Sequence, residues 1–543
     1  MHHPTNEPIL ASAVRTVGDP DALRLLSELV AIAPTNLEDP VHHRWEKPNY
    51  ARAAERIVRA AREFGLTTRI YDPSADPDVP PSRTSTPRPN VIVDLDIGAP
   101  SRTLILAHYD VVPVPAEQLG RWRSPPHVLT GRSDGRLYGR GANDDLGSGV
   151  VASLIALKHL AARTDVPSNV RLLICCDEET GGSGGIEAIK DRDSRLSSGD
   201  PDRILVGEVA LIPDGDHHAT AASSGVAFLD ATFPSPPPLR DAVAFGSALA
   251  RLHDLARTWT SNYPSPDWPD HGAPAPVITG RATVTRFDLT AHEPAEGELH
   301  LESVHAETDA SNQVAEAVSL VVGGTSAEIE TALVRLQTYV RPPFSLRAGG
   351  STAAPVPAGA RLLQLVGKST HGGYPHRGYN PVTATLSLLD RAITEGVLNG
   401  SRHVEATYGV DLRIIPEMPL HEAVDAALRQ VAAWASDAHV PAQLTAPPDR
   451  CRGGYALPMD DPAIVKLERI LRSTVETGGI FGEYGGTDAS SLMGVTTPAG
   501  TPLPALVFGS MDRSSHIHEA DESIDPRLWA GVIRTIERYV MEP

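Results

Sequence analysis

The segment NVRLLICCDEETGGSGG, residues 169–185, runs from a row of apolar residues directly into three consecutive acids and a glycine-rich turn. The apolar run predicts a buried strand that ends at Cys176. Three adjacent carboxylates repel one another there, and a bound cation would remove that cost. Because consecutive side chains point to opposite sides, Glu178 and Glu179 cannot face one ion equally. One can be a metal ligand while its neighbour acts as a base on water.

Strands and helices alternate on both sides of this segment. Apolar spacing predicts helices at 20–33, 48–64 and 147–163, and strands at 91–97, 103–107 and 169–176. This alternation indicates an α/β domain with a mostly parallel sheet and helices on both faces.

The middle of the chain has a different pattern. A proline-rich stretch at 233–276 precedes strands at 280–289, 298–305 and 404–415 and helices at 325–339, 380–396 and 419–435. This mixture indicates an α+β domain, and the α/β pattern then resumes. We therefore predict a discontinuous domain built from 1–222 and 448–543, with a second domain inserted at 223–447.

Bulk composition excludes several classes of protein. The 543 residues carry a net charge of −20, so the basic surface that nucleic-acid binding needs is missing. The sequence predicts neither a signal peptide nor a membrane span, because no basic segment precedes an apolar run and no long uncharged apolar stretch occurs. Three cysteines are too few for a disulfide framework. We expect a cytoplasmic protein of more than one domain.

Two further segments place carboxylates and a histidine at the end of a strand and in a turn. His108 and Asp110 follow the strand at 103–107 and point the same way, as a metal ligand and its orienting carboxylate would. Asp144 and Asp145 lie in a glycine-rich turn before a helix. Taken singly, a structural histidine and a helix N-cap are the favoured interpretations.

The last two segments are ambiguous at the level of single residues. Asp214 follows an apolar run, but the acid and two histidines at 216–218 compete with it, and a P-D-G turn also explains the segment. His516 and His518 alternate along an extended segment that can equally be a polar loop. Ligands bind outside the carboxyl ends of strands in α/β sheets, so all five segments are interpreted together.

The order and spacing of these segments resemble the M20 family of metallopeptidases. That family includes carboxypeptidase G2-like enzymes, PepV-type dipeptidases, aminoacylases and the acetylornithine deacetylase and desuccinylase group. The matching stretches, in family order, are HYDVVP from His108, Trp122 with LYGRGANDD, DEETG from Asp177, IPDG around Asp214, HGGYPHRGYN from His371, DLR ending at Arg413, GGTD from Gly485, and H-x-x-D-E from His518 to Glu522.

The resemblance implies a dinuclear metal centre in the discontinuous domain. The implied ligands are His108, Asp144, Glu179, Asp214 and His518. Asp144 would bridge the two ions, and Asp110 would orient His108. Glu178 would be the general base and acid on the attacking water. Imidazole and carboxylate ligands suit Zn²⁺, with Co²⁺ or Mn²⁺ as alternatives.

The resemblance also implies substrate contacts, several of them from the inserted domain, which corresponds to the family's lid. His371 resembles the histidine that stabilises the tetrahedral oxyanion, and Arg413 the arginine that grips the substrate carboxylate. The backbone N–H groups of Gly486 and Thr487 are candidate donors to that carboxylate. Asn312 is a candidate contact in the oxyanion region.

Two departures from the compact family members bear on the substrate. Leu146 replaces a lysine that usually follows the bridging aspartate, which should not affect the metals. The 156 residues between Asp214 and His371 far exceed a short linker. This length resembles PepV-type dipeptidases, whose enlarged lid replaces the second subunit of a dimer.

These observations favour a metal-dependent hydrolase that cleaves a dipeptide or small peptide. An N-acyl amino acid deacylase, desuccinylase or aminoacylase is the alternative, because it needs the same metals and base. A non-catalytic binding module is disfavoured because all five ligands and the base are present. We expect no nucleic-acid or membrane partner, and either a monomer or a lid-mediated homodimer.

Overall fold

The computed structural model describes residues 7–35, 49–79, 86–114, 116–144, 146–197, 199–265, 277–291, 299–306, 313–350, 352, 355–371 and 378–542. Among these residues, no helix combines the length and the apolar character needed to cross a membrane.

The α-helices of the described chain are α1 (Glu7–Val17), α2 (Pro20–Ile32), α3 (Tyr50–Glu63), α4 (Ala152–Ala161), α5 (Ile186–Ser194), α6 (Leu239–Ala250), α7 (Leu252–Ala256), α8 (Ser326–Tyr339), α9 (Pro381–Thr394), α10 (Leu420–Ala438), α11 (Pro462–Thr474), α12 (Asp488–Ser491) and α13 (Pro526–Met541). The strands are β1 (Thr67–Tyr71), β2 (Asn90–Leu95), β3 (Arg102–His108), β4 (Thr130–Gly131), β5 (Leu137–Tyr138), β6 (Asn169–Cys175), β7 (Val209–Ile212), β8 (Ala219–Ser223), β9 (Gly225–Thr232), β10 (Thr260–Pro264), β11 (Val277–Thr279), β12 (Arg281–Ala291), β13 (His300–Ala306), β14 (Gln313–Val314), β15 (Ala317–Gly323), β16 (Ser345–Ala348), β17 (Arg361–Val366), β18 (Thr370–His371), β19 (Val404–Ile414), β20 (Gln443–Thr445), β21 (Cys451–Arg452), β22 (Tyr455–Ala456), β23 (Ile480–Glu483), β24 (Ala505–Val507) and β25 (Ser523–Ile524).

The chain divides into two compact units. The first comprises Met1–Ala222, Tyr455–Gly482 and Thr487–Pro543, and the second comprises Ser223–Gly454 and Glu483–Gly486. The second unit continues past residue 447 because β21 pairs with β9, bringing Cys451 opposite Ala227. The division of the chain into two domains, with boundaries after residues 222 and 447, remains a prediction.

The main sheet of the first unit has the strand order β1-β2-β6-β3-β7-β24-β8-β22. The four central strands, from β6 to β24, run parallel, as the alternation of strands and helices predicts. The flanks differ from that prediction, because β1, β2 and β8 pair antiparallel with their neighbours. Parallel neighbours need a crossover, usually helical, and no α-helix lies between β1 and β2 in the described chain.

The parallel centre brings distant parts of the sequence to one edge of the sheet. β3 and β6 pair in parallel with His108 opposite Cys175, so both strands end at the same level. β7 pairs with the other side of β3 and ends at Ile212. All three strands are buried, apart from the first residue of β3. The turns after them therefore meet at one edge.

The helix predicted at 147–163 begins with a turn of π-helix at Leu146–Val151 before α4. A Cβ atom added to Gly147 would lie 2.0 Å from the carbonyl oxygen of Ala142, so only glycine fits this wide turn. The indole Nε1 of Trp529, on α13, donates a hydrogen bond to the carbonyl of Gly147 at 2.8 Å. Single π turns often lie at functional sites.

The second unit is α+β, as its sequence pattern predicts. Its main sheet has the order β16-β17-β15-β13-β12-β19-β9-β20. Every neighbouring pair of strands in this order is antiparallel. Helices α6, α7 and α9 pack on β12 at the centre of the sheet. The core includes Phe287 stacked on Tyr408, with ring centroids 5.1 Å apart.

Candidate metal centre

The carboxyl edge of the parallel strands gathers one group of candidate ligands. His108 is the last residue of β3, and Asp214 lies just beyond β7. Ligand atoms of His108, Asp144 and Asp214 all lie within 4.8 Å of one another, and His108 Nε2 is 3.2 Å from Asp214 Oδ2. We call His108 and Asp214 the sheet-edge half of the centre.

A second group of candidate ligands shares Asp144 with the first. Ligand atoms of Asp144, Glu179 and His518 also lie within 4.8 Å of one another. His518 Nε2 is 2.8 Å from Asp144 Oδ2 and 2.9 Å from Glu179 Oε1. We call Glu179 and His518 the loop half, because Glu179 lies within a single 3-10 turn, Glu178–Thr180, and His518 lies in a turn of a long loop. Sharing one carboxylate between two such groups is the arrangement that a bridging ligand requires.

Several polar atoms in these two groups are buried without a hydrogen-bond partner. They are Glu179 Oε1, Asp214 Oδ1 and His518 Nε2. The close approach of His518 Nε2 to Asp144 and Glu179 is an ion-pair contact. Buried polar atoms without partners are costly, and a coordinated cation would satisfy all three. The donor set of imidazole and carboxylate therefore fits divalent metal ions.

Burial and neighbouring charges shift the pKa values of these candidate ligands. Burial and the neighbouring charge of Asp144 raise the pKa of Asp214 to about 6. Burial would also raise the pKa of Asp144, but the close contact with His518 outweighs it and holds this pKa below its usual value. Burial opposes the charged form of His518, yet the carboxylates of Glu179 and Asp144 raise its pKa well above the usual value.

Asp110 contacts residues of both halves. Its buried carboxylate accepts hydrogen bonds from the backbone N–H groups of Glu178 and Glu179, at 3.1 and 3.2 Å. One of its oxygens also lies 3.4 Å from Nδ1 of His108. The sequence pattern predicted only the contact with His108. The backbone contacts mean that Asp110 also fixes the turn that carries the candidate base, Glu178, whose side chain is half-buried.

Asp177 anchors the same turn, a role that the sequence pattern did not reveal. Its φ of 62° lies in the left-handed region, and its carboxylate is held by Arg88 Nε at 2.7 Å and by the hydroxyl of Tyr50 at 3.1 Å. Burial raises the pKa of Asp177 to about 6 despite the opposing charge of Arg88. Asp177 therefore makes structural bonds, whereas Glu179 belongs to the second group of candidate ligands.

The competing residues near Asp214 and His518 have other contacts. His217 Nδ1 bonds the carbonyl oxygen of Met511 at 2.7 Å, and the buried ring of His218 lies against Phe481. His516 is half-exposed and lies 3.7 Å from Glu519. None of these histidines belongs to the two groups described above. Asp145, the neighbour of Asp144, lies outside the described residues.

The candidate substrate residues of the second unit are described only in part. Arg413 is buried, and its guanidinium group donates two hydrogen bonds to the carboxylate of Asp411, also on β19, at 2.7 and 2.8 Å. The backbone of His371 pairs with that of Gln313, while the side chain of His371 lies outside the described structure. Asn312 also lies outside the described residues. Their roles toward a substrate remain predictions.

The GGTD turn leads into a short helix. Thr487 is the N-cap residue of α12 and is buried. A Cβ atom added to Gly486 would meet no atom within 4 Å, so the backbone there is open. Gly486 is exposed and Thr487 begins the helix, and contact of their two backbone N–H groups with a substrate carboxylate remains a prediction.

Comparison with known proteins identifies the family. Residues 104–542 match the sequence profile of peptidase family M20/M25/M40. The chain belongs to this family. Its members are metal-dependent hydrolases, and the two groups of candidate ligands lie in the matched region.

Similar sequences include two bacterial desuccinylases. The chain is 30% identical over 284 residues to a succinyl-diaminopimelate desuccinylase of Delftia acidovorans, covering 47% of this chain and 70% of that protein. It is 28% identical over 321 residues to the desuccinylase of Acidovorax ebreus, covering 54% and 78%.

Similar solved structures include two dipeptidases. Human carnosine dipeptidase 1 matches with a TM-score of 0.55 and 14% identity, over 99% of both chains. The di-peptidase Dug1p from Saccharomyces cerevisiae matches with a TM-score of 0.54 and 13% identity, over 98% of both chains. At these identities the likeness concerns the fold.

Proposed function

We propose that this M20 hydrolase binds two divalent metal ions and cleaves the amide bond of a dipeptide or another small peptide. The observation that carries the proposal is the pair of three-residue ligand groups that share Asp144. One ion would be held by the sheet-edge half and one by the loop half. The imidazole and carboxylate donors suit Zn²⁺ best, with Co²⁺ or Mn²⁺ as alternatives.

Bound ions at this centre would polarise the scissile carbonyl and lower the pKa of the attacking water. Glu178 takes the proton from that water and delivers it to the leaving amine, general acid–base catalysis that contributes about 10²–10⁴-fold. Asp110 keeps Glu178 in place through the hydrogen bond from its backbone N–H. The base therefore acts from a turn whose position is fixed by a buried carboxylate.

In the same proposal, residues outside the metal centre bind the substrate. His371 stabilises the oxyanion, with Asn312 as a further contact in that region. Arg413, held in one orientation by Asp411, meets the substrate carboxylate together with backbone N–H groups of Gly486 and Thr487. A guanidinium fixed before the substrate arrives loses little entropy on binding.

A second candidate is an N-acyl amino acid deacylase or desuccinylase. The desuccinylase of Delftia acidovorans, with its 30% identity, favours it. The length of the inserted unit and the fold likeness to dipeptidases over nearly the whole chain favour the peptidase. The metal centre serves both reactions, so the substrate panel must separate them. A lid of this length would complete the site within a monomer, and a lid-mediated homodimer is the alternative.

The test uses protein stripped with chelator and reconstituted with Zn²⁺, Mn²⁺ or Co²⁺. We expect metal-dependent hydrolysis of unblocked dipeptides and little turnover of N-acetyl or N-succinyl amino acids. Cleavage of the acylated compounds alone would replace the peptidase proposal by the deacylase. Binding of two ions without turnover of any panel member would contradict both and favour a binding module.

A further inference from the structure

The last residue of the H-x-x-D-E motif, Glu522, has no role in the proposed reaction, yet it forms a buried ion pair. Glu522 Oε2 lies 2.6 Å from Arg140 Nη1, and each side chain is only 1% exposed. The two residues are separated by 382 positions in the sequence. Burying such a pair is expensive unless further hydrogen bonds satisfy both partners.

Those further hydrogen bonds reach the backbone that carries two candidate ligands. Arg140 Nη2 donates to the carbonyl of His518 at 3.2 Å. Glu522 Oε1 accepts from the backbone N–H of Asn143, the residue before Asp144, at 3.3 Å. The ion pair thus joins the turn before Asp144 to the segment of His518, and all of these residues belong to the first unit.

The fully buried side chain of Asn143 makes the same connection a second time. Its Nδ2 donates to the hydroxyl of Ser515 at 2.7 Å, and its Oδ1 accepts from the hydroxyl of Ser510 at 2.6 Å. Both serines lie in the segment that leads to His518. Two independent sets of side-chain bonds therefore hold one segment against the other.

The backbone at these ligands needs such support. His518 has a φ of 63°, in the left-handed region that is unfavourable for a residue with a Cβ. No strand or helix of the described chain lies between β24 and β25, so regular hydrogen bonding does not fix His518. Strained backbone persists only where surrounding contacts determine it.

We propose that Arg140, Asn143 and Glu522 form a clasp that positions Asp144 and His518 as ligands of the loop-half ion. The clasp residues touch the ligand-bearing backbone and act through it, so they are positioning residues. This inference rests on the proposed dinuclear centre. It assigns Glu522, and with it the end of the motif, to assembly of one of the two ion sites.

The first test is Glu522→Gln, which keeps the shape and removes the charge. Titration of metal-stripped protein with Zn²⁺ is followed by calorimetry. We expect the wild type to bind two ions. In the variant, the loop-half ion should bind about 10–100-fold more weakly, which is the usual effect of losing a residue that supports a metal ligand. At limiting metal the variant should lose kcat while KM is kept. Asp94→Asn is the matched control, because Asp94 pairs with Arg171 in the same unit away from the centre.

A second variant separates positioning from plain stability. Removing one partner leaves an unpaired buried charge, whereas Arg140→Met combined with Glu522→Leu removes both charges and restores an apolar contact. We expect thermal stability to return in the double variant while the weak metal binding persists. Recovery of affinity together with stability would overturn the clasp. So would two ions of unchanged affinity in Glu522→Gln. A wild type that binds fewer than two ions would instead overturn the dinuclear proposal, and the clasp with it.

Discussion

The two halves of the candidate metal centre are built in opposite ways. In the sheet-edge half, His108 ends a strand that is hydrogen-bonded on both sides, and Asp214 follows the neighbouring strand directly. In the loop half, Glu179 lies two residues after Asp177, which has a φ of 62°, and His518 itself has a φ of 63°. Sheet hydrogen bonds fix the first half, while side-chain bonds from Asp110 and the clasp fix the second. The same kind of ligand can therefore be held by backbone pairing or by buried side chains.

The largest effect should come from removing the proposed general base, Glu178. Glu178→Gln should lower kcat by about 10²–10⁴-fold, because the proton of the attacking water loses its acceptor. Both halves keep their ligands, so calorimetry should still find two ions. Glu187→Gln, a nearby acid on α5, should leave both quantities unchanged. Loss of a metal ion in Glu178→Gln would mean that this residue is a ligand.

Removing one ligand from each half should break the halves separately. His108→Ala should weaken one ion, and His518→Ala the other, each by more than the roughly 100-fold expected for a supporting partner. Hydrogen exchange should then show the contrast. The strand at His108 should stay protected without its ion, whereas the segment around His518 should exchange faster. Equal protection in both variants would contradict the difference between the halves.

The two halves should also differ in their response to pH. A ligand must lose its proton before it binds an ion. The pKa of Asp214 is raised to about 6, so ion binding at the sheet-edge half should weaken only as the pH falls through about 6. The pKa of His518 is raised well above its usual value, so binding at the loop half should release a proton at neutral pH and strengthen as the pH rises.

Calorimetry in buffers of different ionisation enthalpy counts those protons. We expect about one proton released at pH 7.5 in the wild type and none from this source in His518→Ala. Release that is unchanged in the variant would assign the proton to another group.

The smallest effect should come from a cluster that contains none of the candidate ligands. His159 on α4 bonds Asp19 at 2.9 Å and Glu537 on α13 at 2.6 Å. The bond to Glu537 outweighs partial burial and raises the pKa of His159 above 6.5. The stabilisation of the fold by protonated His159 is therefore fully present below pH 6.5. It is lost as the pH rises through the raised pKa of His159.

His159→Gln should accordingly lower Tm at pH 6, by about 2 °C or less because the ring is partly exposed, and lower it less at pH 9. Metal binding should not change. A difference in Tm that grows with pH would contradict stabilisation by the protonated form of His159.

The grouping of the candidate ligands was largely predictable because these residues follow features with a clear sequence signal. His108 and Asp214 come after apolar runs, and Glu179 belongs to three acids that a buried strand end does not otherwise favour. The antiparallel flanks of the sheet were not predictable, since apolar runs do not reveal strand direction. The π turn before α4 was missed as well, because one widened turn does not change the apolar periodicity.

The clasp could not be read from the sequence for a different reason. Arg140 and Glu522 lie 382 residues apart in two different motifs, and neither motif alone indicates that the two side chains form a pair. Asn143 sits beside Asp144 but is recognisable as a connector only when the serines opposite it are known. Pairings between distant loops depend on the finished fold, and no local pattern encodes them.

The position of β24 has a consequence for how the protein is made. This strand, Ala505–Val507, lies between β7 and β8, which leave the ribosome far earlier. At about 5–20 residues per second, the nascent chain waits tens of seconds with that side of β7 unpaired while the inserted unit is translated. Unpaired strand edges recruit other chains, so this interval is when chaperones would protect the molecule. Translation that stops before residue 505 leaves a product without the closing strand and without His518.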